Sequence, residues 1–421
     1  MKKVFIFTVI ILTLFSLCAC SKSPEALPKA IAAVVYPGEE RFNDHEARRD
    51  KRKQNPVEDG FLASLSDFSY LTASAVLSDS EGNANYSPVS LYFALAVTAT
   101  GAGGQTQRQL FELLGVSSSA ELSGQCSNLF RLLYTDNEIS KLTLANSLWL
   151  DVDTTFNDAF AKNAAGHFYA SSFPADFADK ATGEAMGKWI AENTAGTLSP
   201  ELTTDPRQIL SIISTVYFYD EWINRFDRDN TAAGVFRTDS GDVDSEYMNG
   251  MIFGGFSRCG SFSRASLGFK DGGQMVFILP EDGVSVRELI GSAEAFGSLF
   301  AGEDTGFAEV KWQVPKFDFE CNYDKLPETL ISLGVTDAFR PDADFSGITD
   351  SAAYISEIIQ QTRISIDEKG VEAAAFTQLN FLGAGYPEDE FEMILDRPFI
   401  YGIKAQNGTL LFVGICENPS R

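Results

Sequence analysis

The sequence predicts a mixed α+β fold in one large domain, and three observations carry that prediction. Phe61, Leu62, Leu65, Phe68, Leu71 and Ala75 recur at helical spacing, the mark of a helix with one apolar face. Residues 209–219 form an apolar run, rich in β-branched and aromatic residues, that reads as a buried strand. From residue 61 to residue 421 helical and strand patterns follow one another without an internal linker, with strands prevailing in the C-terminal half.

Taken in order, the chain begins with Lys2 and Lys3 followed by the apolar run 4–17, which has signal-peptide proportions and is short for a membrane span. Leu17-Cys18-Ala19-Cys20 resembles a bacterial lipobox. That resemblance implies removal of the signal within residues 1–20, acylation of Cys20, and a chain anchored to the membrane by lipid alone. Ser21 after the cysteine, where Asp would mark retention, points to the outer membrane and an exported domain. Residues 21–59 are rich in Pro, Ala, Glu and Lys and read as a flexible tether. Within them Arg48-Arg49-Asp50-Lys51-Arg52-Lys53 reads as a solvated charge run. The folded domain is expected to span 60–421.

Inside the domain, Gly101-Ala102-Gly103-Gly104 lacks the Lys-Ser/Thr ending of a phosphate loop and reads as a turn between helices. Residues 181–192 are expected to form a further amphipathic helix. A net charge of −25 excludes nucleic acid and heparin as natural partners, since both require clustered cations. The segment 121–134 holds only Arg131 as a base. The chain has two histidines, His45 in the tether and His167, the latter read as a partly buried structural imidazole. With no nucleophile elbow beside them and no Cys/His spacing suited to zinc, no catalytic residue, metal ligand or cofactor is assigned. Cys126, Cys259, Cys321 and Cys416 lie in apolar patterns and read as buried free thiols, although an exported chain could pair them.

The most informative stretch is 366–398. It opens with the charged turn Asp367-Glu368-Lys369-Gly370 and continues with small residues. Drawn as a strand, it places Val371, Ala373, Ala375, Thr377 and Leu379 on one face. Glu372, Ala374, Phe376 and Gln378 fall on the other. It ends in Gly383-Ala384-Gly385-Tyr386-Pro387-Glu388-Asp389-Glu390, which reads as an exposed loop. A strand-competent segment is thus joined to a flexible one.

Glu368-Lys369-Gly370-Val371-Glu372-Ala373-Ala374-Ala375 resembles the hinge of the reactive-centre loop of the serpin family, and Met393-Ile394-Leu395-Asp396-Arg397-Pro398-Phe399-Ile400-Tyr401 resembles its C-terminal signature. Asn85-Tyr86-Ser87-Pro88-Val89-Ser90 resembles the start of the family's buried helix. Leu142-Thr143-Leu144-Ala145-Asn146-Ser147-Leu148-Trp149 resembles a central strand. Tyr217-Phe218-Tyr219-Asp220-Glu221-Trp222, Phe277-Ile278-Leu279-Pro280 and Val314-Pro315-Lys316-Phe317 follow in the family's order.

The resemblance implies a serpin fold, with helices around three β-sheets and an exposed reactive-centre loop. It implies a monomeric suicide-substrate inhibitor of serine endopeptidases, with papain-like cysteine proteases as secondary targets. It makes Glu368, Gly370, Val371, Glu372, Ala373, Ala374 and Ala375 the hinge, and Ser87, Gln360 and Trp222 the region where the sheet opens. Gln360 stands where the family more often has histidine. The family's count from Glu368 puts the reactive bond at Ala384-Gly385, with Phe381, Leu382, Gly383 and Tyr386 as flanking subsites. Because the loop is longer than usual, the bond lies somewhere between Leu382 and Pro387. No Lys or Arg occurs between Val371 and Asp396, which disfavours trypsin-like targets and favours elastase-like or subtilisin-like ones. Phe376, Gln360 and the loop length keep open a non-inhibitory serpin acting as a surface binding or structural protein.

Overall fold

Ser87 accepts a hydrogen bond from the backbone N–H of Ser90 and caps the helix Pro88–Thr100, whose first position is a proline suited to a helix start. Every residue from Pro88 to Ala99 is buried. A helix that is apolar all round belongs inside a core, and this one lies beneath the larger part of the β structure.

The computed structural model describes residues 27–371 and 391–421, apart from 33, 39 and 303. The lipobox with Cys20 and the loop residues 372–390 lie outside the described residues. Six strands frame the site: Lys141–Asp151 (β1), Leu210–Glu221 (β2), Gly241–Arg258 (β3), Gly306–Pro315 (β4), Ile355–Ile366 (β5) and Phe391–Ile394 (β6). Among the described residues β1, β2 and β5 belong to a seven-stranded sheet, and β3, β4 and β6 to a nine-stranded one. The ladders of two expected sheets run together in the second, because β3 is 18 residues long. It pairs with Ala232–Thr238 and β4 along its length and with Phe262–Gly268 at its end.

Alternation along β2 separates two cores. Ile212, Ser214 and Val216 face the buried helix, and Ile213 faces the other way with Trp149 and Ile359. Over that second face lies the helix Lys180–Asn193, which presents Met186, Trp189 and Ile190. This is the helix expected at 181–192, and β2 is the strand expected at 209–219. The helix predicted from Phe61 runs Asp59–Asp79.

Three expectations are corrected. The described part of the tether is folded onto the domain: His45–Gln54 is a helix capped by Asp44. Lys51 Nζ donates to the carbonyl of Tyr134 at 2.7 Å, and Arg48 pairs with Asp271 at 2.5 Å. The ring of Tyr36 joins Phe130, Tyr134 and Tyr169 at centroid distances of 6.2, 5.8 and 6.1 Å. The partners of the charge run are far away in sequence, so composition alone reads it as solvated. His167 is exposed rather than partly buried, at the C-terminal end of the helix Asp158–His167, whose last turn faces solvent there. Cys259 is exposed and Cys321 half-buried, whereas Cys126 and Cys416 are buried; all four are free thiols.

Candidate functional site

Strands β2 and β5 pair directly and in parallel from Leu210–Thr215 to Ile355–Gln361, with Ser214 opposite Gln360. Beyond that point they part. Beneath the junction, Gln360 Oε1 accepts from the backbone N–H of Ser87 at 3.1 Å and Gln360 Nε2 donates to the Ser87 carbonyl at 2.9 Å. The Ser87 hydroxyl donates in turn to the carbonyl of Leu411 at 2.7 Å. Ser214 donates to Asn146 Oδ1 on β1 at 2.7 Å and is hydrogen-bonded to the hydroxyl of Ser90. Thr362 donates to the carbonyl of Asn85. Each of these side chains is buried. They form a polar seam that ties three strands to the head of the buried helix.

Ser87 and Gln360 were readable from the sequence as members of this seam, but Asn85, Ser90, Asn146, Ser214 and Thr362 were not. The available signal was a short polar residue inside an otherwise apolar run, such as Ser214 in Ile212-Ile213-Ser214. Buried polar groups of this kind nearly always have partners.

Where the strands part, the chain leaving β5 turns at Asp367–Lys369 and returns between them. Gly370 lies opposite Glu221 and Val371 opposite Asp220 on β2, while Val371 also pairs with Ile366 on β5. A Cβ on Gly370 would stand 2.2 Å from the Asp220 carbonyl oxygen, so only glycine fits this entry. Trp222 is fully buried: its backbone N–H donates to the Lys369 carbonyl at 2.9 Å and its indole N–H to the Asp367 carbonyl at 3.0 Å. Its ring stacks on Phe269 at 4.9 Å. The turn is thereby fixed to the end of β2.

Charge reinforces this anchor. Glu221 is fully buried and its carboxylate meets Lys270 Nζ at 2.5 Å and Arg225 at 2.6 Å. Glu368 is only 4 % exposed. One of its oxygens accepts from the Thr231 hydroxyl at 2.8 Å and lies 3.4 Å from Lys316 Nζ. Burial pushes the Glu368 carboxyl up, but its own backbone N–H, the Thr231 hydroxyl and the Lys316 ammonium outweigh that and hold it below its ordinary value. Burial, aided by nearby Asp271, raises Asp220 well above the carboxylate range.

On the far side of the loop, β6 lies parallel to β4 with Phe391 opposite Val310. The Arg258 guanidinium sits over the Phe391 ring at 4.8 Å. Among the residues expected to act, the structure thus joins Glu368, Gly370, Val371, Ser87, Gln360 and Trp222 in one region. Glu372, Ala373, Ala374, Ala375, Phe381, Leu382, Gly383, Ala384, Gly385 and Tyr386 lie outside the described residues.

A family profile for Serpin (serine protease inhibitor) matches residues 63–419. The chain is a serpin. It is 30% identical over 363 residues to an uncharacterized serpin-like protein of Methanosarcina acetivorans, covering 82% of this chain and 83% of that one. It is 28% identical over 360 residues to alpha-1-antiproteinase S of Cavia porcellus, covering 80% and 85%. The crystal structure of the thermophilic serpin tengpin in its native state superposes with a TM-score of 0.80 at 28% identity, covering 93% of this chain and all of tengpin. Serpins are generally protease inhibitors rather than enzymes.

Two outcomes follow for this serpin. Gln360→Leu leaves the buried Ser87 N–H without its partner and removes one of two donors from the Ser87 carbonyl, which keeps the Leu91 N–H, and is expected to lower unfolding stability by about 1–3 kcal/mol in urea titration. Glu368, with a depressed value in the folded chain, contributes stability that is complete above the unfolded carboxylate value of about 4.3 and lost as pH falls through the lower folded value. Wild type should therefore melt above Glu368→Gln at pH 7, and the gap should close in acid.

Proposed function

We propose that this serpin is a suicide-substrate inhibitor of serine endopeptidases of elastase-like or subtilisin-like specificity. The target's serine attacks a carbonyl between Leu382 and Pro387, at Ala384-Gly385 by the family's count, forming an acyl-enzyme and freeing the new amino terminus of the C-terminal piece. The freed N-terminal arm of the loop then enters the gap between β2 and β5 as a new antiparallel strand. The attached protease is carried with it, and its triad and oxyanion hole lose the geometry that deacylation needs. Papain-like cysteine proteases form the same kind of acyl-enzyme and are secondary targets.

One observation carries this reading: the hinge already sets a register that the rest of the arm can follow. Val371 lies opposite Asp220 on β2 and Ile366 on β5. Continuing both ladders by six residues brings Thr377 level with Ser214 and with Gln360, which face each other directly in the closed sheet. Ala373 and Ala375 come opposite Phe218 and Val216 on the way. The four residues of this face, Val371, Ala373, Ala375 and Thr377, would all turn toward the buried helix. They are small or β-branched, as insertion over a packed core requires. The Thr377 hydroxyl would arrive at the polar seam, where it has partners.

A second reading, a non-inhibitory surface binding protein, is favoured by Phe376. The same register sets it opposite Thr215, which is 1 % exposed on a sheet face partly roofed by the helix Lys180–Asn193. That face is therefore less open to a ring than alternation alone implies, and the helix has to give way for insertion.

We also assign the chain to the cell envelope, anchored through Cys20 to the outer membrane. Cys20→Ser should release it from membranes on fractionation; a variant that stays bound would contradict the anchor.

For inhibition, residues 21–421 mixed with pancreatic elastase or subtilisin should give a band at the summed mass that survives boiling in detergent. The released peptide should begin within 383–387. Cleavage without a complex across a broad protease panel would overturn inhibition in favour of the second reading.

A further inference from the structure

Where the helix His45–Gln54 packs onto the domain, the two border a cavity of about 250 Å³. Leu133, Tyr134, Leu142, Phe218 and Leu411 give it an apolar lining, and all but Phe218 are buried. Charged residues line it from both walls. The N-terminal segment contributes Glu40, Arg48, Lys51 and Arg52; the domain contributes Asp136, Asp220, Asp271 and Lys404. Most of these charges already have partners. Arg48 pairs with Asp271 at 2.5 Å, Lys51 lies 3.7 Å from Glu40, and Asp136 lies 3.1 Å from Lys141, which is not in the lining. The Asp220 oxygens accept from the backbone N–H of Glu221 at 2.8 Å and of Asp271 at 3.2 Å, and burial disfavours its charged form. Lys404 turns to the Phe300 carbonyl at 3.2 Å. Arg52 is different. It is exposed, and its bond is to a neutral acceptor on the opposite wall, Gln406 Oε1 at 3.3 Å. Next to Gln406, the side-chain N–H group of Asn407 is buried without a hydrogen-bond partner, a condition rare enough to call for a cause.

We infer that this cavity is a binding site for a small organic anion, a monocarboxylate with a short chain or a single ring, whose apolar body lies on Phe218 and Leu411 and whose carboxylate meets Arg52. Three features select that class. First, the cavity falls just below the roughly 300–1,000 Å³ of most small-molecule sites, which limits its ligand to a short body. An apolar lining with a few convergent polar groups is the usual composition of such sites. Second, in a chain of net charge −25 an anion is held only where cations collect. Arg48 and Arg52 stand one turn apart on the same helix face, and the acids of the lining are spent on Arg48, Lys51 and Lys141 or disfavoured by burial. Third, exchanging the Gln406 amide for a carboxylate gives Arg52 a charge-assisted, two-point partner in place of a neutral one. Binding there needs no protease and no cut loop. It would nevertheless bear on the hinge, because Phe218 and Asp220 belong to the part of β2 that has parted from β5, and Asp220 is opposite Val371.

The test is a calorimetric titration of octanoate into residues 21–421 at low salt, with octanol as the uncharged analogue. Octanoate should bind saturably at one site, with a dissociation constant on the order of 0.1–1 mM, the range open to a ligand of about ten non-hydrogen atoms. It should also raise the melting temperature. Octanol should bind at least tenfold more weakly. Arg52→Glu, at an exposed position, should weaken octanoate at least fivefold at low salt and less at high salt. Ala405→Phe, at a half-buried position of the lining, should weaken both ligands at least tenfold by filling the space. Melting of the ligand-free variants checks that the fold is intact; should Ala405→Phe melt lower, Arg52→Glu and octanol still decide the matter. The inference is overturned if octanoate shows no saturable binding, or if octanol binds as tightly as octanoate. Octanoate affinities within twofold of wild type for both variants would also overturn it, by placing the bound anion elsewhere on the chain.

Discussion

The incomplete pairing of β2 with β5 is the constraint on which the rest of the structure depends. Parallel strands that pair for half their length and then separate no longer bond each other beyond Thr215 and Gln361, so a further strand between them is what their facing backbone groups can pair with. Among the described residues, Gly370 and Val371 occupy the far end of that space. The closed half is held from below by Gln360 on Ser87 and by Ser214 on Ser90 and Asn146. Such a seam holds two strands together through a few directional bonds rather than interlocked apolar side chains, so it can exchange partners without rebuilding a core.

The anchors at the hinge work in the opposite sense, because they are strong and fixed. Trp222 binds the turn through two backbone carbonyls, and Glu368 is held by Thr231 and Lys316. Glu221 with Lys270 and Arg225 forms a buried charge cluster at the end of β2, where losing one partner would strand another charge. One end of the incoming strand is thus fixed in register before any bond is cut, while the seam ahead of it is exchangeable. A fold arranged this way guides a strand into one alignment.

What could be read in advance follows from how local each signal is. Alternation and apolar content in 209–219, and helical spacing from Phe61 and in 181–192, are properties of neighbours in the chain, and those elements lie where the patterns put them. Ser87, Gln360 and Trp222 were visible only through resemblance to a family. The packing of 27–59 was not visible, because Tyr36 is one aromatic residue and its partners Phe130, Tyr134 and Tyr169 are brought together by other elements. Cys259 looked buried in an apolar pattern, but the exposed turn after β3 carries it to the surface. The Phe253–Phe307 pair was equally hidden, since a phenylalanine on a strand reads as core until the sheet shows which face it occupies.

The most direct test of this account is a crystal structure of the chain after its loop has been cut by a protease. The account predicts a full strand between β2 and β5 with Thr377 level with Ser214 and Gln360 and its hydroxyl hydrogen-bonded into the seam. It would be contradicted by a cleaved chain in which Ser214 and Gln360 still face each other with no strand between them, or by an inserted strand in another register.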